Sequence, residues 1–183
     1  MSEEILIRQG APTLAGIKTG SLFPCPCEDR EDLLADIRRV NRLLRARGLC
    51  PPRIRFLEGQ ALLYLYRPAE LRRDLQDALA SELLRQAGYA NESCARCVAQ
   101  LIRRFRESGE FPHEVGLFLS YPPEDVKGFI DHRANGFKCA GLWKVYGDEA
   151  KAQALFAKFK KCTEIYCALW QTGSKLEQLA VAV

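Results

Sequence analysis

A chain of 183 residues that is 48% hydrophobic and 27% charged has the make-up of one ordinary globular domain, with length enough to bury a core. Its formal charge of +4 is scattered, densest between Arg38 and Arg55, which falls short of the basic stripe of a nucleic-acid binder. No apolar run approaches the roughly 20 residues of a membrane-spanning helix, and the acidic start Met1-Ser2-Glu3-Glu4-Ile5 lacks the pattern of an export leader, so the expected setting is cytoplasmic.

In chain order, Leu14 to Phe23 reads as a strand or extended segment, interrupted by Gly16 and Gly20 and stopped by Pro24 and Pro26. Between Glu28 and Arg47, Leu33, Leu34, Ile37, Val40, Leu43 and Leu44 recur at helical spacing. Acids crowd the start of that helix, arginines its end, and Gly48 follows as a left-handed cap. Ile54 to Leu57 and Ala61 to Arg67 read as a hairpin turning at Glu58-Gly59-Gln60. Its second arm, Leu62 to Tyr66, is apolar throughout, as a central strand covered on both faces would be.

Pro68 suits the first turn of a helix to about Leu79, and a short helix from Ser81 to Ala87 ends at Gly88. The next helix runs from Glu92 to Arg106, with Asn91 as its expected N-cap. Val115 to Ser120 reads as a strand, Pro122-Pro123-Glu124-Asp125 as the start of a short helix, and Phe137 to Tyr146 as a strand bent at Gly141. Asp148 to Gln171 is a long helix. Strands separated by helices, with one hairpin, predict a single α/β domain over residues 1–183: a mixed sheet of about five strands flanked by helices.

The candidate ligand site is the region around Ser120-Tyr121-Pro122-Pro123, where a strand end meets a helix N-terminus, together with His113 and Glu114 before the strand. A histidine beside a carboxylate suits proton transfer, although neighbours on an extended chain face opposite ways and need not touch. The bland alternative is a proline-stiffened turn with Tyr121 packed over it. Lys18, in Ala15-Gly16-Ile17-Lys18-Thr19-Gly20-Ser21, would meet an anionic ligand; the spacing is not that of a phosphate loop, and no Ser-x-x-Lys accompanies Lys18-Thr19-Gly20. No catalytic residue is assigned.

Eight cysteines are many for this length, and in a reducing compartment they favour free thiols, metal ligation or redox chemistry over disulfides. Cys25-Pro26-Cys27 with Cys50 forms the candidate thiolate set for a metal ion. Cys94 and Cys97 have redox spacing, but Cys94 falls on an apolar stripe with Val98, Leu101, Ile102 and Phe105, with Cys97 at its edge, as core residues would. Arg38, Arg42 and Arg45 read as a solvated helix face.

Four stretches carry a family resemblance: Ala11-Pro12-Thr13-Leu14-Ala15-Gly16-Ile17-Lys18, Tyr64-Leu65-Tyr66-Arg67-Pro68, the block from His113 to Ile130, and Gly141-Leu142-Trp143-Lys144-Val145-Tyr146-Gly147. With these the chain resembles, over almost its whole length, an uncharacterised bacterial domain-of-unknown-function family found mainly in anaerobic Firmicutes. It departs from that pattern at Ser120, where the family often has glycine, and at Gly10, where a cysteine can stand; the first difference weakens a nucleophilic role for Ser120. The resemblance and the thiol count together imply a cytosolic accessory protein of anaerobic metabolism that handles redox equivalents or a metal such as iron, with a redox protein as partner. The second reading is a small-ligand enzyme or binding domain acting on an anionic ligand through Lys18, His113, Glu114, Ser120 and Tyr121. A protein-interaction scaffold is the third.

Overall fold

The structure, a computed structural model, describes residues 2–57, 59–90, 93–107, 111–133 and 135–182. Its elements in order are α1 (Glu3–Leu14), β1 (Gly20–Pro26), α2 (Arg30–Arg45), β2 (Cys50–Leu57), β3 (Gln60–Tyr66), α3 (Pro68–Leu75), α4 (Ala78–Gln86) and α5 (Cys94–Glu107). A 3-10 segment (His113–Leu119) follows, then α6 (Pro123–His132), β4 (Cys139–Ala140), β5 (Lys144–Val145), α7 (Glu149–Gln171) and α8 (Leu176–Leu179). The chain groups into two compact units, Met1–Ala69 with Phe159–Val183, and Glu70–Lys158. Among the described residues no helix is long and apolar enough to cross a membrane.

The first unit is built on an antiparallel sheet of order β1-β3-β2. Alternation along β3 sends Ala61, Leu63 and Leu65 into a core shared with Phe23, Leu6 and Leu14. Tyr64 and Tyr66 alternate to the other face, where they are also buried and stack in parallel, ring centroids 4.9 Å apart. The central strand is therefore covered on both faces, as its unbroken apolar run predicts. Helix α2 begins at Arg30 and not Glu28, because Asp29 caps it by accepting from the backbone N–H groups of Glu31 and Asp32; Gly48 follows the last turn with a φ of 74°, as expected.

The stretch from Leu14 to Phe23 corrects the sequence reading, because a helix ends inside it. Gly16, at φ 75°, donates to the Thr13 carbonyl, and Ile17 donates to that of Pro12. That pair of bonds is a Schellman cap, so Gly16 terminates α1 and the strand begins only at Gly20. Helix α1 itself was not predicted; it runs through Gly10 and Pro12, which lie within its buried half.

Arg67 follows β3 directly and is 2% exposed. Among the described residues its guanidinium donates to four main-chain carbonyls: Nε to Thr13 (2.7 Å), Nη2 to Leu14 (2.7 Å) and Val181 (2.8 Å), and Nη1 to Arg47 (3.1 Å). Those acceptors lie at or just past the ends of α1, α2 and α8, where helix carbonyls lack intrahelical partners and the helix dipole is negative. Burial pulls the guanidinium down from its ordinary pKa, and Tyr166 opposes that pull.

The second unit is mostly helical, and here the expected sheet of about five strands is overturned: the described residues form one sheet of three strands and one of two. Val115 to Ser120 is a 3-10 turn in which Glu114 through Leu119 are all buried, so no period-two alternation existed to tell strand from helix. Phe137 to Tyr146 contributes only the two-residue strands β4 and β5, because Gly141 and Leu142 turn the chain into a hairpin between them. The single helix expected from Pro68 to Leu79 is broken at Asp77, whose carboxylate caps α4 through the N–H groups of Leu79 and Ala80. The expected cap Asn91 lies outside the described residues, and Ser93 Oγ instead accepts from Arg96 N.

Removing the Arg67 fork takes a donor from each of these four carbonyls, although those of Thr13 and Leu14 keep the backbone N–H groups of Gly16 and Val181. We therefore expect Arg67→Met to lower stability by about 3–5 kcal/mol, and Arg67→Lys, which keeps the charge but loses the planar fork, by about half that. Urea unfolding midpoints at matched m-values measure it; an Arg67→Met protein as stable as the parent would show that the cluster is dispensable.

Candidate functional site

The second unit contains a cleft of about 370 Å3, within the size range of small-molecule sites. Its walls come from the 3-10 segment, α6 and the β4–β5 hairpin. Phe111, Tyr121, Phe129 and Trp143 supply aromatic surface, and Val115, Val126 and Leu142 aliphatic surface. His113, Asp125 and Lys144 are its ionisable lining residues.

Aromatic packing fixes the walls. The Tyr121 ring stacks on Trp143 at 4.6 Å, its hydroxyl donating to the Leu142 carbonyl at 3.3 Å, and Phe156 meets Trp143 edge-on at 4.4 Å. Burial raises the Tyr121 pKa, which keeps the phenol neutral. A Cβ at Gly141 would come within 2.3 Å of the Phe156 ring, and one at Gly128 within 2.3 Å of the Tyr146 ring. The glycines of these motifs are thus places where an aromatic ring lies against bare backbone.

The link between helix and hairpin is Asp125, 2% exposed in the first turn of α6. Its Oδ2 accepts from the Trp143 indole N–H at 2.7 Å, and its Oδ1 from the backbone N–H groups of Tyr146 (2.7 Å) and Gly147 (2.8 Å). A buried carboxylate needs such compensation, and here neutral dipoles supply it together with the positive end of α6.

The candidate residues separate as follows. His113 and Tyr121 line one cleft, because the 3-10 turn holds them close where a strand would have set them at opposite ends. His113 is exposed, with its ring edge-on to Phe129 at 5.0 Å. Glu114 points away from His113 into the interior, where it accepts from the Tyr89 hydroxyl at 3.0 Å and pairs with Arg104 Nε at 2.9 Å. Burial, then the charge of Glu114, raises the Tyr89 pKa. Ser120 forms the cap of the 3-10 segment in a left-handed conformation, φ 61°. Lys18 belongs to the first unit, its ammonium 5.8 Å from the Phe159 ring centroid. Asp125 was missed as anything beyond a helix-start residue, since its partners lie 18 to 22 positions onward.

The thiols do not converge. Cys25 pairs with Ala61 and Cys50 with Tyr66, positions five residues apart along β3, or roughly 17 Å. Cys25 is buried, which raises its pKa, and Cys27 is half-buried. Among the described residues, no group of three or more His, Cys, Asp or Glu side chains is placed to hold a metal ion. Of the C-x-x-C pair, it is Cys97 that is buried, with a raised pKa, and Cys94 that is half-buried, the reverse of the order expected from the apolar stripe.

Fold and site together define a helix-rich α/β protein with small antiparallel sheets and an aromatic cleft. The chain belongs to the family described as "Protein of unknown function (DUF3793)", whose family model matches residues 6–180. Comparisons with curated proteins and with solved structures gave no match.

Two predictions arise here. Asp125→Asn puts an amide NH2 against N–H groups, so we expect a loss of about 2–4 kcal/mol. In a Trp170→Phe background, where Trp143 is the remaining tryptophan, its emission should shift to the red; unchanged melting and emission would refute the anchoring role. Burial lowers the Lys18 pKa from 10.5 to about 8. The folded state therefore holds fewer protons than the unfolded state between those values, and stability rises with pH from about 8 to about 10.5. Lys18→Met should flatten that rise and add about 2 kcal/mol near neutral pH, as pH-dependent melting curves would show.

Proposed function

We propose that the protein is a binding protein for a small, mainly apolar ligand, held in the cleft of the second unit. The observation that carries this reading is that one concave surface of about 370 Å3 is lined by aromatic and aliphatic side chains and braced by the Asp125 bonds. A site fixed beforehand spends little ordering energy on its ligand. Phe111 and Leu142, each 54% exposed, extend the apolar lining to the surface, where large hydrophobic side chains need a reason to stand in water.

The thiol-based reading, an accessory protein handling redox equivalents or iron through Cys25, Cys27 and Cys50, has weaker support, because the strand register separates Cys50 from the other two. The small-ligand reading keeps His113 and Tyr121 from the sequence, and replaces Lys18 with Lys144.

The test is solution NMR with 2-naphthylmethanol, a neutral bicyclic probe of the right size. About a dozen non-hydrogen atoms at roughly 0.3 kcal/mol each give an expected dissociation constant of about 2 mM. Ala140→Trp, which puts a bulky side chain at an exposed lining position, should abolish binding without loss of fold. His113→Ala should leave the melting temperature within a few degrees while weakening binding. Binding that persists unchanged in Ala140→Trp would place the ligand elsewhere.

A further inference from the structure

We infer that Glu114, held by Tyr89 and Arg104, is a positioning residue of the cleft: it fixes the turn of the 3-10 segment about its own axis, and with it the setting of His113 that a ligand meets. The inference rests on the reading of the cleft as a small-ligand site and goes on to say what sets its affinity from behind.

Two of the three walls, α6 and the β4–β5 hairpin, are tied together by Asp125. The third wall, the 3-10 segment, lies outside those bonds and is the least able to hold its own shape. It runs for seven residues, whereas the poor hydrogen-bond geometry of a 3-10 helix keeps most such runs to about three or four. Its winding therefore depends on what it is fastened to. Three residues per turn eclipse positions three apart, so His113 and Gly116 share one face, and both line the cleft. Glu114 and Leu117 share the next face, a third of a turn away, and both are buried.

The fastening is on that buried face. The Glu114 carboxylate, 4% exposed, accepts from the Tyr89 hydroxyl at 3.0 Å and pairs with Arg104 Nε at 2.9 Å, both at Oε1. Burial and the Glu114 charge raise the pKa of the phenol, so it stays a donor. The Tyr89 ring meets the segment a second time at Phe118, with ring centroids 5.9 Å apart. Arg104 lies over the same ring at 5.6 Å and donates through Nη1 to the Ala87 carbonyl at the end of α4. Gln100, one turn earlier on α5, donates to the Gly88 carbonyl at 2.8 Å. Tyr89 and Arg104 are thus anchored to α4 and α5, and Glu114 passes that anchorage to the segment. On the cleft side, a Cβ at Gly116 would come within 2.7 Å of Val126 Cγ2 and 2.9 Å of Tyr121 Cδ2, so even a small turn of the segment is felt at the wall. Relaxation toward α-helical winding would turn His113 by about 60° relative to Gly116 and carry the imidazole away from Phe129.

The experiment titrates 2-naphthylmethanol by NMR into the parent and three variants, and follows the imidazole protons of His113, one of two histidines in the chain. Tyr89→Phe keeps the ring against Phe118 and removes only the donor. We expect it to weaken the probe about fivefold and to shift the His113 signals, as the imidazole leaves the Phe129 ring that stands edge-on at 5.0 Å. Glu114→Gln, which removes the charge that Arg104 pairs with, should move both readouts in the same direction, and it decides the matter if Tyr89→Phe fails to fold. Leu75→Ala, a core truncation in α3 of the same unit, is the control: it should lower the melting temperature and leave both readouts unchanged. Affinities within about 1.5-fold of the parent in both Tyr89→Phe and Glu114→Gln would overturn the inference and leave the cleft reading standing. An equal weakening in Leu75→Ala would overturn it as well, since lost stability would then account for the effect. So would weakening with the His113 signals unmoved, because the effect would not pass through the setting of the segment. A parent that does not bind the probe would remove the cleft reading, and the inference with it.

Discussion

A charge withdrawn from water has to be answered, and this protein answers with neutral dipoles more than with opposite charges. Arg67 is the clearest case: among the described residues no carboxylate accepts from its buried guanidinium, and the compensation is spread over carbonyls at or just past the ends of α1, α2 and α8. Each side of that arrangement solves a problem for the other. The carbonyls need donors because a helix end strands them, and the guanidinium needs acceptors because burial strips its hydration. A fork of five N–H groups suits acceptors converging from several directions, which explains why arginine stands here and not lysine.

The second unit meets the same constraint with the signs reversed. The buried Asp125 carboxylate is held by an indole and two backbone N–H groups, near the positive end of the helix that carries it. Two such groups do for their units what a larger sheet would otherwise do, namely fix the relative placement of short elements within each. The β4–β5 hairpin has two residues per strand, too few to be stable on ladder hydrogen bonds alone. Its position against α6 depends on Asp125 and on rings packed against glycine backbone. The cleft inherits that rigidity, since its walls are these same elements.

What could be read from the sequence was what is decided locally. Gly48 and Gly88 announced helix ends, and both stand there at positive φ; Asp29 and Asp148, read as the acidic starts of helices, prove to cap them, Asp148 accepting from Lys151 N. The β2–β3 hairpin was equally visible, because its turn and its apolar arm are consecutive in the chain. The misreadings arise where tertiary burial overrides local signals. Gly10 and Pro12 look like breakers, yet α1 runs through them, since Leu6, Ile7, Ala11 and Leu14 are buried and outweigh the lost propensity. Val115 to Leu119 is enclosed on all sides, so its composition held no periodicity to read. The site was half legible for the same reason. His113 and Tyr121 stood out as residue types beside prolines, whereas Asp125 looked like any acidic residue in a first helical turn until its distant partners were known.

The order in which the chain is made gives the Arg67 cluster a further meaning. When Arg67 leaves the ribosome, Thr13, Leu14 and Arg47 have already been synthesised, but Val181 lies 114 residues ahead. At roughly 5–20 residues per second, that interval lasts on the order of ten seconds. Throughout it the nascent first unit is missing both an acceptor for its guanidinium and the strip of core that Leu176, Leu179 and Ala180 complete. The entire second unit is translated within the same window. The first unit thus stays open until α8 and Val181 are made, and a chain stalled or clipped before α8 would expose an unfinished apolar seam to chaperones and proteases.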